Sequence, residues 1–153
     1  MSKFQAAFFK GTSPGLGAVL DWAIHEQTAG IYSHVELVFS DGRSASSVGG
    51  TGVRFTAPGS INFADSTQWD LMDLTGLDEQ AAISWFTANA GKGYDYWGDA
   101  RFVIGLLRPD TKDDFCSEAC AYATGFTEGW RFDPNAFYTA LTRVMLAVQT
   151  KTA

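Results

Sequence analysis

The chain has 153 residues, of which 46% are hydrophobic and 14% aromatic, and this is enough apolar material for the core of one domain. The 17 acidic residues outnumber the 11 basic ones, giving a formal net charge of -6. No stretch gathers Lys and Arg, which argues against nucleic acid as a partner. No apolar run approaches the ~20 residues that cross a bilayer. We therefore expect no membrane span, and the N-terminal residues predict no signal peptide.

The sequence of the first half of the chain predicts a strand, then a helix, then further strands. A short strand is predicted from Phe4 to Phe9, and Ser13-Pro14 is a typical start for a helix that reaches Gln27. A strand follows from Ile31 to Ser40. Its apolar residues alternate with polar ones, and we assign to the core Val35, Leu37 and Phe39.

Asp41-Gly42 then predicts a two-residue hairpin turn, and the return strand contains Ser44 to Ser47. The remaining predicted elements are strands at Val53 to Phe55 and Trp69 to Leu74, and helices at Asp78 to Asn89, at Cys116 to Thr124, and from Asp133-Pro134 to about Ala147. This order indicates an α+β fold with an antiparallel sheet, and we expect a single domain over residues 1–153.

The two cysteines, Cys116 and Cys120, lie one turn apart in a predicted helix. On a helix their β-carbons are about 6 Å apart, too far for the ~3.5–4.5 Å of an unstrained disulfide. We expect free thiols, which suits a reducing, cytoplasmic environment. Cys116 would lie in the first turn, where backbone N–H groups favour a thiolate nucleophile; the alternative is a buried structural cysteine. Cys120 is predicted to be core.

His34 lies on the polar side of its predicted strand and is a candidate general base. The other histidine, His25, is explained by its place near a helix C-terminus. A third group commonly orients such a histidine. Glu36 is on the same strand face, whereas a two-residue turn would bring Ser47, and a three-residue turn Ser46, into the region opposite.

Other site chemistry is limited. The cluster Gly93-Tyr94-Asp95-Tyr96-Trp97-Gly98 is suited to one wall of a substrate groove. The two His and two Cys residues lack the spacing of a zinc site. The run Gly49-Gly50-Thr51-Gly52 is not followed by the Lys and helix of a phosphate loop. We expect neither a metal nor a cofactor.

Four motifs occur in a characteristic order: Tyr32-Ser33-His34-Val35-Glu36-Leu37-Val38-Phe39, Asp41-Gly42, Gly93-Tyr94-Asp95 and Phe115-Cys116-Ser117-Glu118. In this order the chain resembles the permuted papain-like amidases of the YiiX/YaeF group. These are related to NlpC-type cell-wall peptidases and to lecithin–retinol acyltransferase. In the permuted group the histidine strand precedes the cysteine helix, as it does here. The resemblance spans roughly Leu16 to Leu141.

The resemblance implies a permuted papain-like fold with an antiparallel sheet packed against helices. It implies that Cys116 is the nucleophile, that His34 is the base, and that Tyr94 lines the substrate site. The third polar residue of the family is often Glu, Gln, Asn or His, and the position nearest to it here is Ser46. This departure leaves Ser46, Ser47 and Glu36 as candidates for that role.

The activity implied is cysteine hydrolysis of an amide through an acyl-enzyme, with peptidoglycan or another peptide-like molecule as substrate. Exchange of lipid acyl groups is a variant of the same chemistry. Related proteins occur in bacteria and their phages, so a virion-associated cell-wall hydrolase is one expectation. The alternative is a noncatalytic binding or structural module, such as a virion component with assembly partners.

Overall fold

A computed structural model describes residues 3–10, 30–48, 51–91 and 115–152. Three features of the sequence predictions lie outside these residues. They are the first predicted helix with His25, the glycine pair at 49–50, and the aromatic cluster that contains Tyr94.

The described residues form five strands and three α-helices. The strands are β1 (Gln5–Phe9), β2 (His34–Val38), β3 (Ser44–Val48), β4 (Gly52–Thr56) and β5 (Trp69–Asp73). The helices are α1 (Glu79–Asn89), α2 (Phe115–Ala123) and α3 (Pro134–Thr152), with a short 3-10 helix at Gly129–Arg131. The strands make one sheet in the order β4-β3-β2-β1-β5, and neighbouring strands are antiparallel. The prediction of an α+β fold is confirmed.

The turn between β2 and β3 has three residues, not the two that Asp-Gly signals. The N–H of Phe39 donates to the carbonyl of Arg43 at 2.9 Å, so these two residues close the loop. Gly42 occupies the left-handed region at φ 87°, a conformation that glycine adopts at little cost. The resulting register pairs Leu37 with Ala45. In this register Ser46, and not Ser47, therefore lies opposite Glu36.

The core forms where the helices cover the sheet. Val35, Leu37 and Phe39 are fully buried, as the alternation in their strand predicts. Burying each such side chain contributes about 1.5–3 kcal/mol. They pack in one cluster with residues of β1 and of the helices, among them Ala6, Phe8, Phe86, Cys120, Phe137 and Leu141. The helix α2 lies against β2 and β3, which brings its first turn to the start of the histidine strand.

The last helix begins as predicted but ends later. Asp133 caps it, because its carboxylate accepts the N–H groups of Asn135 and Ala136, each at 2.8 Å. The helix continues to Thr152 instead of ending near Ala147, since no Gly or Pro follows Ala147 to stop it. Among the helices that the structure describes, none combines the length and hydropathy needed to cross a membrane.

Candidate active site

The fold brings Cys116 to His34, although the two residues are far apart in the sequence. His34 is the first residue of β2, and Cys116 lies in the first turn of α2. The Cys116 sulfur forms a hydrogen bond with the imidazole and also interacts with its charge. Cys116 is 2% exposed, whereas the side chain of His34 is 26% exposed. The predicted nucleophile and the predicted base are therefore in direct contact.

His34 also interacts with the carboxylate of Glu36. Its Nε2 lies 3.1 Å from Oε1 of Glu36. Burial lowers the pKa of His34, but the Cys116 sulfur and the Glu36 carboxylate outweigh it and raise the pKa to about 10. The ordinary value is ~6.5. The raised pKa favours the protonated imidazole at neutral pH, with the Glu36 carboxylate as its acceptor.

Glu36 is a buried carboxylate with three partners. Its side chain is 1% exposed. Oε1 faces His34 and, at 2.9 Å, Nη2 of Arg54, while Oε2 accepts the hydroxyl of Ser44 at 3.0 Å. Burial raises the pKa of Glu36, but the interactions with His34, Arg54 and Ser44 prevail and hold it below its ordinary value. Each oxygen is satisfied, as a buried charge requires.

Ser46 is buried beside the site, but its hydroxyl is engaged elsewhere. Its Oγ donates to the carbonyl of Val35 at 2.7 Å, near the point where the described pairing of β2 with β3 ends. Ser47 is half-buried, and by strand alternation it lies on the opposite sheet face from Ser46. Of the three candidates for the third group, Glu36 is the one with a described bond to the imidazole.

Sequence reasoning did not single out Arg54 or Ser44. The one available signal for Arg54 is its position between Val53 and Phe55, which predicts a side chain on the opposite face from two apolar ones. The proximity of Arg54 to Glu36 depends on the sheet order, in which β3 lies between β4 and β2.

The segment before His34 is fixed by Asn135 of α3. The Asn135 amide accepts the N–H of Tyr32 and donates to the carbonyl of Tyr32, each at 2.9 Å. A side chain at Gly30 would collide with this amide. The Tyr32 hydroxyl donates to Asp70 at 2.7 Å. These bonds fix the entry of the chain into β2 and so the position of His34.

The cysteine helix is fixed on two sides. The hydroxyl of Ser117 donates to the carbonyl of Phe132 at 2.6 Å. Cys120 is fully buried, and its Sγ lies 3.9 Å from the carbonyl of Val35. Burial, followed by the charges of Cys116 and Glu36, raises the pKa of Cys120 well above its ordinary value. Both cysteines are free thiols, and the predicted core role of Cys120 is confirmed.

An aromatic cluster from β1, β5 and the loop before β5 borders His34. The imidazole meets the Trp69 ring edge to face, with centroids 6.4 Å apart. Phe9 and Phe63 pack on the same Trp69, each with centroids 5.0 Å apart. Trp69 therefore confines the imidazole ring on this side.

Across residues 3–10, 30–48, 51–91 and 115–152, no group of three or more His, Cys, Asp or Glu side chains is arranged to hold a metal ion. Comparison with protein-family models, with curated proteins and with solved structures found no match. The geometry of the four side chains Cys116, His34, Glu36 and Arg54 is therefore the basis for a functional assignment.

Proposed function

We propose that this protein is a cysteine hydrolase that cleaves an amide bond, and that its sheet and helices form a permuted papain-like fold. The observation that carries the proposal is the contact of Cys116 with an imidazole whose Nε2 meets a buried carboxylate. Nucleophilic catalysis requires a nucleophile, a base beside it and a third group that orients the base. The resemblance in motif order supports the same assignment.

The reaction begins from a thiolate on Cys116 and an imidazolium on His34. The thiolate attacks the carbonyl carbon of the amide, and His34 gives its proton to the nitrogen as the C–N bond breaks, which releases the amine and leaves a thioester. Water then loses a proton to His34 and attacks the thioester, and the C–S bond breaks. The products are a carboxylic acid and an amine, and the ion pair is restored.

Glu36 fills the role of the third group in this proposal. A carboxylate is a stronger acceptor for an imidazolium than a hydroxyl, and the described bond from His34 goes to Glu36. The family position nearest Ser46 holds a residue whose hydroxyl is engaged by the Val35 carbonyl. In this proposal Ser46 supports the strand, and the orienting group lies on the histidine strand itself.

The substrate that we propose is a peptidoglycan stem peptide or another peptide-like amide, in line with the resemblance to cell-wall peptidases. Tyr94 is the proposed substrate contact, by the same resemblance. We propose that the protein acts from the virion as a phage-associated cell-wall hydrolase. Transfer of lipid acyl groups would use the same thioester intermediate.

The test is to trap the acyl-enzyme. The protein is mixed with stem peptides and, separately, with an activated acyl ester, then quenched in acid and weighed by intact-mass spectrometry. We expect an acyl adduct that maps to Cys116, that is absent from Cys116→Ala, and that forms in Cys120→Ala as in the wild type. Absence of any adduct with both substrate types would contradict a hydrolase function.

The burial of Cys116 favours a second candidate function, a noncatalytic binding or structural module that retains the fold. At 2% exposure the sulfur offers little surface to a substrate. In such a module Cys116→Ala would change the free energy of unfolding but no binding or chemical property. The acyl-enzyme experiment separates the two candidates, because only the enzyme gives an adduct.

A further inference from the structure

One oxygen of Glu36 serves two cations. Oε1 lies 3.1 Å from Nε2 of His34 and 2.9 Å from Nη2 of Arg54. The other oxygen accepts from Ser44, which is neutral. The imidazolium therefore does not have the carboxylate to itself.

Arg54 is held in this position from its own strand. Its Nη1 donates to the hydroxyl of Thr56, two residues along β4, and its side chain is 26% exposed. The guanidinium is thus fixed between Thr56 and Glu36, and its planar set of N–H groups suits two acceptors at once. An arrangement of this kind orients the carboxylate as well as neutralising it.

The shared oxygen matters because His34 changes its charge in the proposed reaction. When the imidazolium has given up its proton, a buried Glu36 without another cation would be an uncompensated charge, which is costly. The arginine side chain stays charged in proteins, so Arg54 compensates Glu36 at both stages. Arg54 also bonds to the same Glu36 oxygen that binds the imidazolium. The carboxylate therefore holds the imidazolium proton less tightly.

We propose that Arg54 is a positioning residue that acts through Glu36: it keeps the carboxylate ionised and, by sharing its oxygen, limits how strongly the carboxylate retains the imidazolium proton. This inference rests on the proposed hydrolase function for its purpose. Its physical content concerns only the protonation of His34.

The charged and titratable groups that face this pair come from several elements. The helix α2 contributes Cys116 and Cys120, whose sulfurs interact with His34 and Glu36 respectively. The strand β4 contributes Arg54. On β1 the residues paired with Glu36 and His34 are Ala7 and Phe9, which do not titrate. Removal of Cys116 takes away the side chain that most raises the pKa of His34, so the effect of Arg54 on the pair can be measured without it.

The experiment is an NMR titration of the His34 ring in the full-length Cys116→Ala protein. We expect Arg54→Gln in this background to raise the titration midpoint of His34 by about one unit, because a nearby cation is lost and Glu36 is no longer shared. Arg54→Lys, which keeps the charge, is expected to shift it less. The control is Arg131→Gln, which removes one charge from an exposed pair with Glu128 and should leave the midpoint unchanged.

Two further variants test whether the effect passes through Glu36. With Glu36→Gln present, Arg54→Gln should shift the midpoint by less than half as much. Thr56→Val keeps every charge and should raise the midpoint slightly, and it serves as the test if Arg54→Gln does not fold. A His34 midpoint that matches the Arg131→Gln control, or falls below it, in every folded Arg54 or Thr56 variant would overturn the inference.

These results do not depend on activity, because the background lacks the nucleophile. A failure of the proposed hydrolase function appears as a missing acyl adduct. A failure of the role of Arg54 appears as an unmoved His34 midpoint.

Discussion

Nε2 of His34 lies 3.1 Å from Oε1 of Glu36, a residue only two positions further along the same strand. Strand alternation puts the two side chains on one face, so β2 itself supplies both partners of the orienting interaction. The consequence is an imidazole that is held at Nε2 by its own strand and that also interacts with Cys116 of α2.

The protonation of His34 is the first property to measure. Because Cys116 and Glu36 raise the pKa of His34 to about 10 against the effect of burial, its ring signals should not move through the neutral range in an NMR titration. Cys116→Ala and Glu36→Gln should each lower the midpoint toward the ordinary ~6.5. The signal of His34 is identified by its loss in His34→Gln. A wild-type His34 that titrates near 6.5 would contradict the described ion pair.

The stability of the protein should depend on the ionisation of Glu36. Burial opposes ionisation, but His34, Arg54 and Ser44 lower the pKa of Glu36 below its ordinary value. The carboxylate therefore stabilises the fold fully above that ordinary value, and the contribution is lost as the pH falls through the lowered one.

Glu36→Gln should cost about 3 kcal/mol in the free energy of unfolding at neutral pH, since it leaves two cations without their carboxylate. The difference from wild type should shrink in acid. Urea unfolding at several pH values measures it, with Glu79→Gln as a control on the same charge change. A difference that is independent of pH would count against the role assigned to Glu36.

Sequence patterns predicted the strands of the sheet well, because alternation identifies a buried face directly. The same alternation could not reveal that Glu36 is buried: a polar strand face looks alike whether water or Arg54 covers it. The three-residue turn was ambiguous for a related reason, since Asp-Gly fits more than one loop length, and the register that places Ser46 depends on it. Arg54 required knowledge of the sheet order, which local patterns do not contain.

Asn135 should be essential for fixing the start of β2. Asn135→Ala removes both hydrogen bonds to the backbone of Tyr32, which is 5% exposed, and should cost about 2 kcal/mol because two buried backbone groups lose their partners. Asn135→Asp keeps the acceptor and loses the donor, so a smaller loss is expected. Thermal or urea unfolding measures both. Equal stability of Asn135→Ala and wild type would show that the bonds do not fix this segment.

Cys120 should remain unreactive in the folded protein. It is fully buried, so a reagent cannot reach its sulfur. Burial also raises its pKa, which disfavours the reactive thiolate form. Brief treatment with iodoacetamide followed by peptide mapping should leave Cys120 unlabelled in the native protein, and should label both cysteines in urea. Cys120→Ala should cost about 1 kcal/mol, since it removes one buried atom from the core. Native labelling of Cys120 would mean that α2 does not pack as described.

The most direct test of the central claim is the alkylation rate of Cys116 as a function of pH, measured in Cys120→Ala with and without His34→Ala. If Cys116 and His34 form an activated pair, labelling by iodoacetamide should be fast even at about pH 6, where an ordinary thiol is almost wholly protonated. His34→Ala should abolish that fast reaction. Labelling that is slow at this pH and indifferent to His34 would contradict the pair, and with it the hydrolase.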